Sequence, residues 1–344
     1  MATRTVPQSE SATQAALLVQ SLQELFVQQL EELSRNAGSP CNLKPTEWLR
    51  DEGRHGGGVR FGIQDSPVFG RASINYSAIH YDDLPEKALG SATALSCIVH
   101  PRSPHAPSMH MHISWTELRS GRGYWRMMAD LNPAIPDDGH RVNFDAAIGA
   151  ALGDLAQAAR EQGERYFYIP ALERHRGVSH FYLENHSSGD FEADRALADA
   201  VARAAVGTYI LAVEEGQGRS VSDDDCRRQL AYHTSYLFQV LTLDRGTSSG
   251  LLVHDQNDVG IMGSLPGHVD PELLASWRPR LPAPQEKLLD ALLAALPSAN
   301  PAPVTTTTKR ALAQAVRAHY SNHPEALAHQ ASGEVLPPTV DNHR

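Results

Sequence analysis

The densest group of reactive side chains lies between Ser96 and His112, where His100, His105, His110 and His112 fall within thirteen residues. Imidazole transfers protons near neutral pH and binds transition metals. His110 and His112 are two apart, so on a strand they share a face. With a third imidazole across a turn they either hold a metal ion or position an acid–base pair. Pro101, Pro104 and Pro107 interrupt the cluster, so a plain role in bonding loop backbone stands beside the chemical ones. A second group, Asp244-Arg245-Gly246-Thr247, follows an apolar run. Adjacent residues on a strand point to opposite faces, so one of the Asp–Arg pair can enter a cleft while the other pairs elsewhere. The same residues also suit an ordinary turn. Asp130, near Tyr124 and Trp125, is a third candidate, either for a flat nitrogen heterocycle or for capping a loop.

Other motifs fail on their flanks. Gly56-Gly57-Gly58 lacks the following Lys-Ser/Thr of a phosphate loop and any dinucleotide fingerprint, which leaves a turn or a close backbone contact. No nucleophile elbow, HExxH or zinc-finger spacing occurs.

The elements that must carry these groups follow from periodicity. Leu18, Leu22, Leu25, Phe26, Leu30 and Leu33 predict an amphipathic helix over about Ser11 to Ser34. Short alternating stretches from Gly53 to His80, then Ala94–His100 and Met109–Glu117, predict antiparallel strands. Helices are expected after Pro136, through Phe144, Ile148, Leu152 and Leu155, and between Phe191 and Glu215. Another should start at Ser222, an N-cap followed by three aspartates. Arg165–Ile169 and Tyr236–Leu243 read as strands, with hairpin-like chain continuing to Pro266. The expected fold is α+β, a large antiparallel β-sheet, as one domain over 1–299. Residues 300–344 read as an extension with one short helix outside that domain.

The chain has 344 residues, 30 Lys+Arg against 40 Asp+Glu, and a formal charge of −10, which argues against a general nucleic-acid or anionic-membrane binder. Three widely spaced cysteines exclude a disulfide scaffold and fit a reducing cytoplasm. The first residues lack the apolar core of a signal peptide, and no uninterrupted 18-residue apolar run was expected to span a membrane.

Taken in order, these pieces resemble the oxygen-dependent coproporphyrinogen III oxidase family over about Gly56 to Trp277. The resemblance rests on the glycine triplet, Val68-Phe69, Ile74-Asn75-Tyr76-Ser77, and the string from His100-Pro101-Arg102 through Pro104-His105-Ala106-Pro107 to His110. It continues with Asp130-Leu131-Asn132-Pro133, Tyr166 and Tyr168, Arg176-Gly177, Asp244-Arg245-Gly246-Thr247 and Gly250-Leu251. It implies a flat antiparallel sheet flanked by helices on both sides, a homodimer, and oxidative decarboxylation of two propionates of coproporphyrinogen III to vinyl groups. The co-substrate is dioxygen and no organic cofactor is needed. His110 matches the catalytic histidine, His100 a proposed metal ligand beside it, and Ser96 a substrate contact. Asp244, Arg245 and Asp130 match charged residues of the pyrrole cleft. Arg102, His112, Arg126 and Arg176 are the further substrate contacts expected.

The chain departs from the family inside that pocket. His112 and Ser114 stand where the family has asparagine and arginine, and Arg126-Met127-Met128 replaces a glycine run. Pro170-Ala171-Leu172 replaces a Lys-His-Arg string, another metal histidine falls near Phe144-Asp145, and a Gly-Gly-Arg is replaced around 254–257. The metal set is thereby incomplete, so metal dependence is expected to be weak or absent, although His100, His110 and His112 could form a different site. A buried carboxylate–arginine contact contributes about 1.5–3 kcal/mol, so two lost arginines weaken a tetracarboxylate by orders of magnitude. Arg126, or a protonated His112, is the expected replacement. Three functions follow: the family reaction, oxidative decarboxylation of a smaller acid, or tetrapyrrole binding without turnover.

Overall fold

Period-two alternation builds the centre of the molecule. The computed structural model describes residues 4–253 and 257–332. Strands β1 (Lys44–Leu49), β2 (Gly56–Gln64), β3 (Phe69–His80), β4 (Leu89–Pro101), β5 (Ser108–Leu118) and β6 (Gly123–Asn132) form a meander. Two short strands, β7 (Tyr168–Ile169) and β8 (Arg174–His175), make a separate ribbon before β9 (Ser179–His186) closes the main sheet beside β6. All pairings in this seven-stranded sheet are antiparallel.

The two faces differ in chemistry. Ile74, Leu95, Cys97, Met111, Ile113, Met127, Ala129 and Phe181 share one face and one core. That core is completed by α1 (Glu10–Asn36), α2 (Asp138–Leu152) and, after α3 (Ala156–Tyr166), α4 (Phe191–Gln217). Leu22, Phe26 and Leu30 of α1 and Val201, Ala205 and Tyr209 of α4 are fully buried, and each large side chain contributes about 1.5–3 kcal/mol by leaving water. The residues between them in sequence, Ser96, His110, His112, Arg126 and Asp130, point to the other face. The glycine triplet lies in β2, where a Cβ on Gly56 or Gly58 would come within 2.1 Å of Ala78 O and 2.0 Å of Tyr76 O. The triplet is a close backbone contact, as one of its two sequence readings held.

The polar face is covered by α3 at the β9 edge and by α5 (Asp223–Thr242), α6 (Arg245–Val253) and α7 (Asp258–Ile261). Beyond these, α8 (Pro271–Ser276), α9 (Gln285–Ala295) and α10 (Thr306–Asn322) build a second core, and β10 (His268–Val269) pairs with β11 (Ala302–Pro303). Helices therefore flank the sheet on both sides. Ser222 opens α5 through a capping box with Asp225, as its sequence position suggests.

Four local expectations give way. The run Tyr236–Leu243 is not a strand: α5 reaches Thr242, and every residue from Thr234 to Thr242 is buried. An apolar run buried all round carries no period that separates helix from strand. The chain expected as a hairpin is likewise helical in α6 and α7, while residues 254–256 lie outside the described residues. Arg165–Ile169 is divided: Arg165 and Tyr166, whose ring packs against Tyr182 at 4.5 Å, end α3, and only Tyr168–Ile169 form a strand, β7. Residues 302–326 do not lie outside the fold. Ala302, Val304, Leu312, Val316 and Tyr320 join the second core, so packing against α9 decided what composition alone could not.

By length and mean hydropathy α4 alone among the described helices could cross a membrane, but Asp194, Arg195, Asp199 and Arg203 interrupt it, so it holds no uninterrupted 18-residue apolar run, as expected. Its apolar stripe instead packs on α1, α2 and the sheet.

Candidate active site

A cavity of about 240 Å3 lies between the polar face of β3–β6 and helices α5–α7. Ser96, His110, His112, Arg126, Arg176 and Asp244 are among its walls. A second space of about 190 Å3 shares His112, Arg126 and Gly246 with it. The tertiary structure thus gathers six of the sequence-nominated residues on one surface.

Behind that surface is a buried charge network. Asp130 is fully buried and receives a two-pronged contact from Arg176, Nε to Oδ2 at 2.8 Å and Nη2 to Oδ1 at 2.8 Å. Asn132 Nδ2 donates to Oδ2 at 2.7 Å, and His110 Nδ1 lies 2.9 Å from Oδ1. Arg176 Nη2 is also 3.2 Å from His110 Nδ1, but a nitrogen that donates to the carboxylate cannot accept there as well. The shorter, charge-assisted bond to Asp130 fixes Nδ1–H and leaves Nε2 as the lone-pair nitrogen. Burial alone would raise the Asp130 pKa, but Arg176 and His110 outweigh it and hold the group well below the carboxylate range. Arg176 is further clamped by Gln239 and lies 4.8 and 5.0 Å from the ring centres of Phe167 and Tyr236. Asp130 is therefore not a cleft carboxylate. With its acceptors taken by Arg176, Asn132 and His110, it positions His110.

Asp244 sits at a helix start, not at a strand end. Its Oδ1 accepts Thr247 N–H at 2.7 Å, capping α6, and its Oδ2 accepts Tyr166 O–H at 2.9 Å. Both sequence readings hold here: the carboxylate caps a turn and also walls the cavity. Burial raises its pKa, yet neighbouring His110, the Thr247 N–H, Arg176 and the Tyr166 hydroxyl more than reverse that, so the net shift is downward. Asp244 is ionised at neutral pH.

Across the sheet, Ser96 Oγ and His112 Nδ1 are 3.0 Å apart. His112 cannot serve as a replacement cation. Burial first, then the Arg126 charge and His110, lower its pKa to about 3, so the ring is neutral at physiological pH. Arg126 lines both spaces and donates to Glu184 Oε1 at 3.1 Å. Despite burial, Arg126 keeps its charge, held by the carboxylate of Glu184.

Three nominated residues fall elsewhere. Arg245 turns away from the cavity and lies 3.8 Å from Glu184, because α6 begins at this residue and directs the side chain towards β9. Arg102 is half-exposed and is held by Asp65 and Ser66 at the β2–β3 turn. His100 is buried with Nδ1 2.9 Å from Ser108 Oγ and Nε2 3.0 Å from Ser264 O. Desolvation pushes its pKa well below the usual histidine value. With both ring nitrogens engaged, and with Ala171 and Asp145 on the segments where the resemblance implies further histidines, the residues present do not fit that metal centre. Sequence reasoning also missed Tyr166, Glu184 and Gln239 as partners. Tyr166 enters the sequence analysis only among the residues that carry the resemblance, and the alternation through β9 could have placed Glu184 beside Tyr182 on the polar face.

The family model described as coproporphyrinogen III oxidase matches residues 14–295. An oxygen-dependent coproporphyrinogen-III oxidase of Rickettsia bellii (strain OSU 85-389) is 27% identical over 268 residues, covering 72% of this chain and 94% of the relative. Another, from Drosophila melanogaster, is 25% identical over 301 residues, covering 80% of this chain and 75% of the relative. Rickettsia africae (strain ESF-5) supplies a third at 26% over 269 residues. With a match across most of its length, an antiparallel sheet between helices, and His110 and Asp244 on one polar cleft with Asp130 buried behind His110, the chain belongs to the coproporphyrinogen III oxidase family.

Proposed function

We propose that this protein is an oxygen-dependent oxidoreductase that decarboxylates propionates of coproporphyrinogen III to vinyl groups, giving protoporphyrinogen IX on the route to heme. The observation that carries the reading is an ionised Asp244 on the same cavity as His110, whose tautomer Asp130 fixes. For each propionate, –CH2–CH2–COO⁻ plus dioxygen and one proton become –CH=CH2, carbon dioxide and hydrogen peroxide.

Asp244 accepts a pyrrole N–H, and its negative charge favours electron loss from the ring. The ring's electron pair passes to dioxygen, giving a peroxide. Removal of a β-proton and cleavage of the bond to the carboxylate then form the vinyl double bond as carbon dioxide leaves. His110 Nε2 is the group that moves a proton at this point. Arg126 binds a substrate carboxylate, with Ser96 and neutral His112 as hydrogen-bonding partners. No organic cofactor enters this scheme.

Among the described residues of the cavity wall the cations are Arg126 and Arg176, and Arg176 is committed to Asp130. That scarcity favours, as the second reading, the same chemistry on an acid with fewer carboxylates. Aerobic incubation with coproporphyrinogen III, followed for vinyl products and carbon dioxide, tests the first reading. Binding without products refutes turnover, and neither binding nor products leaves the smaller acid. A cytoplasmic homodimer belongs to the same proposal; three free cysteines suit a reducing compartment, and sedimentation of the purified chain measures its assembly.

A further inference from the structure

Outside the cleft, three side chains converge where α3 meets β8 and β9. Glu164 Oε2 is 2.9 Å from His175 Nε2, a nitrogen that also lies 3.0 Å from Glu164 O and leaves Nδ1 as the other ring donor, and Glu164 Oε1 is 3.0 Å from His180 Nε2. The three prospective ligand atoms all lie within 4.8 Å of one another. The two imidazoles stack, with ring centres 5.4 Å apart and planes 24° from parallel.

His180 is the telling member. It is 7% exposed, yet neither ring nitrogen makes a hydrogen bond among the described residues. Its Nε2 is close to the carboxylate, as an ion-pair distance, without making a hydrogen bond to it. A buried polar group without a partner is costly, and natural structures rarely keep one without a reason. A lone pair coordinated to a cation would satisfy it. Burial also lowers the His180 pKa, which keeps the ring in the neutral form that ligation needs. Glu164 and His175 are exposed at the rim, so an ion has a path in and water can complete its coordination.

We propose that Glu164, His175 and His180 form a binding site for a divalent transition-metal ion of the Zn2+ class, separate from His100 and His110. Two imidazoles and one carboxylate suit Zn2+ with an open position, whereas Mg2+ and Ca2+ select oxygen ligands. The ion would join α3, β8 and β9 on either side of Arg176. His175 precedes Arg176 directly, and His180 pairs in register with Asp130. The site therefore braces the segment that supplies the guanidinium behind His110, a structural rather than a chemical role.

The test is calorimetric titration of the full chain, stripped with chelator, with ZnCl2 and separately with MgCl2. One equivalent of Zn2+ should bind saturably and raise the melting temperature, with no matching Mg2+ signal. Glu164→Gln and His175→Ala, both at exposed positions that leave the core intact, should each weaken Zn2+ binding at least tenfold. His180→Ala should do the same if it folds, and the two exposed variants decide the matter if it does not. Zn2+ binding of unchanged strength in both exposed variants places the ion elsewhere, for instance among the cleft histidines, and overturns the proposal. Equal affinity for Mg2+, or no saturable Zn2+ binding, overturns it as well.

Discussion

Replacing Asp244 by Asn separates its two roles, because asparagine is as good a helix N-cap as aspartate but carries no charge. The amide oxygen can still accept Thr247 N–H, now at 2.7 Å from the carboxylate, and the amide nitrogen can face the Tyr166 oxygen. Two charge-assisted bonds then become neutral ones, each losing about 1 kcal/mol, so a stability loss of about 1–2 kcal/mol is expected. The catalytic loss should be larger. If the carboxylate lowers the barrier by about 3–4 kcal/mol through its charge and basicity, turnover falls by about two to three orders of magnitude. The assay pairs urea unfolding with aerobic turnover of coproporphyrinogen III per folded molecule. Turnover within about threefold of the parent, alongside the stability loss, would refute the catalytic assignment and leave Asp244 as a cap.

Arg176→Met strips the partner from a fully buried Asp130 and should destabilise the fold by about 3–5 kcal/mol, read as a lower urea midpoint. Arg126→Gln should raise KM by about tenfold to a hundredfold if that cation binds a substrate carboxylate, with a smaller change in kcat. Arg102→Ala, outside the cleft, should leave both constants within about twofold. Lys309 is 3% exposed; burial, then the Arg71 and Arg60 charges, lower its pKa from 10.5 to about 7. The charged amine therefore penalises the fold fully below pH 7, and the penalty is relieved as pH rises from 7 towards 10.5. Lys309→Met should accordingly raise the melting temperature at pH 6 and gain progressively less above pH 8.

How much was legible in the sequence depends on the range of the interaction. Alternation along β5 places His110 and His112 on one face, since side-chain direction on a strand is a local property with period two, whereas register between strands brings Ser96 opposite His112. The Ser222 cap and the helix after it are local too. That same locality fails for Tyr236–Leu243, where burial on every side erases the period, so a helix was read as a strand and Asp244 was set at the wrong kind of element. Function of a charged residue is less local still. Asp130, Arg245 and Arg102 are as polar in sequence as Asp244 and Arg126, but which of them faces the cavity depends on partners tens of residues away. Arg176 reaches Asp130 across 46 positions, and Tyr166 reaches Asp244 across 78. His100 loses its candidacy as a ligand to a carbonyl 164 residues on, at Ser264. The sequence by itself determined the α+β class with an antiparallel sheet, the shared face of His110 and His112, and the family. The tertiary structure decided which nitrogens and carboxylates remain available for chemistry, because a hydrogen bond made elsewhere in the fold consumes the lone pair or proton that reactivity requires.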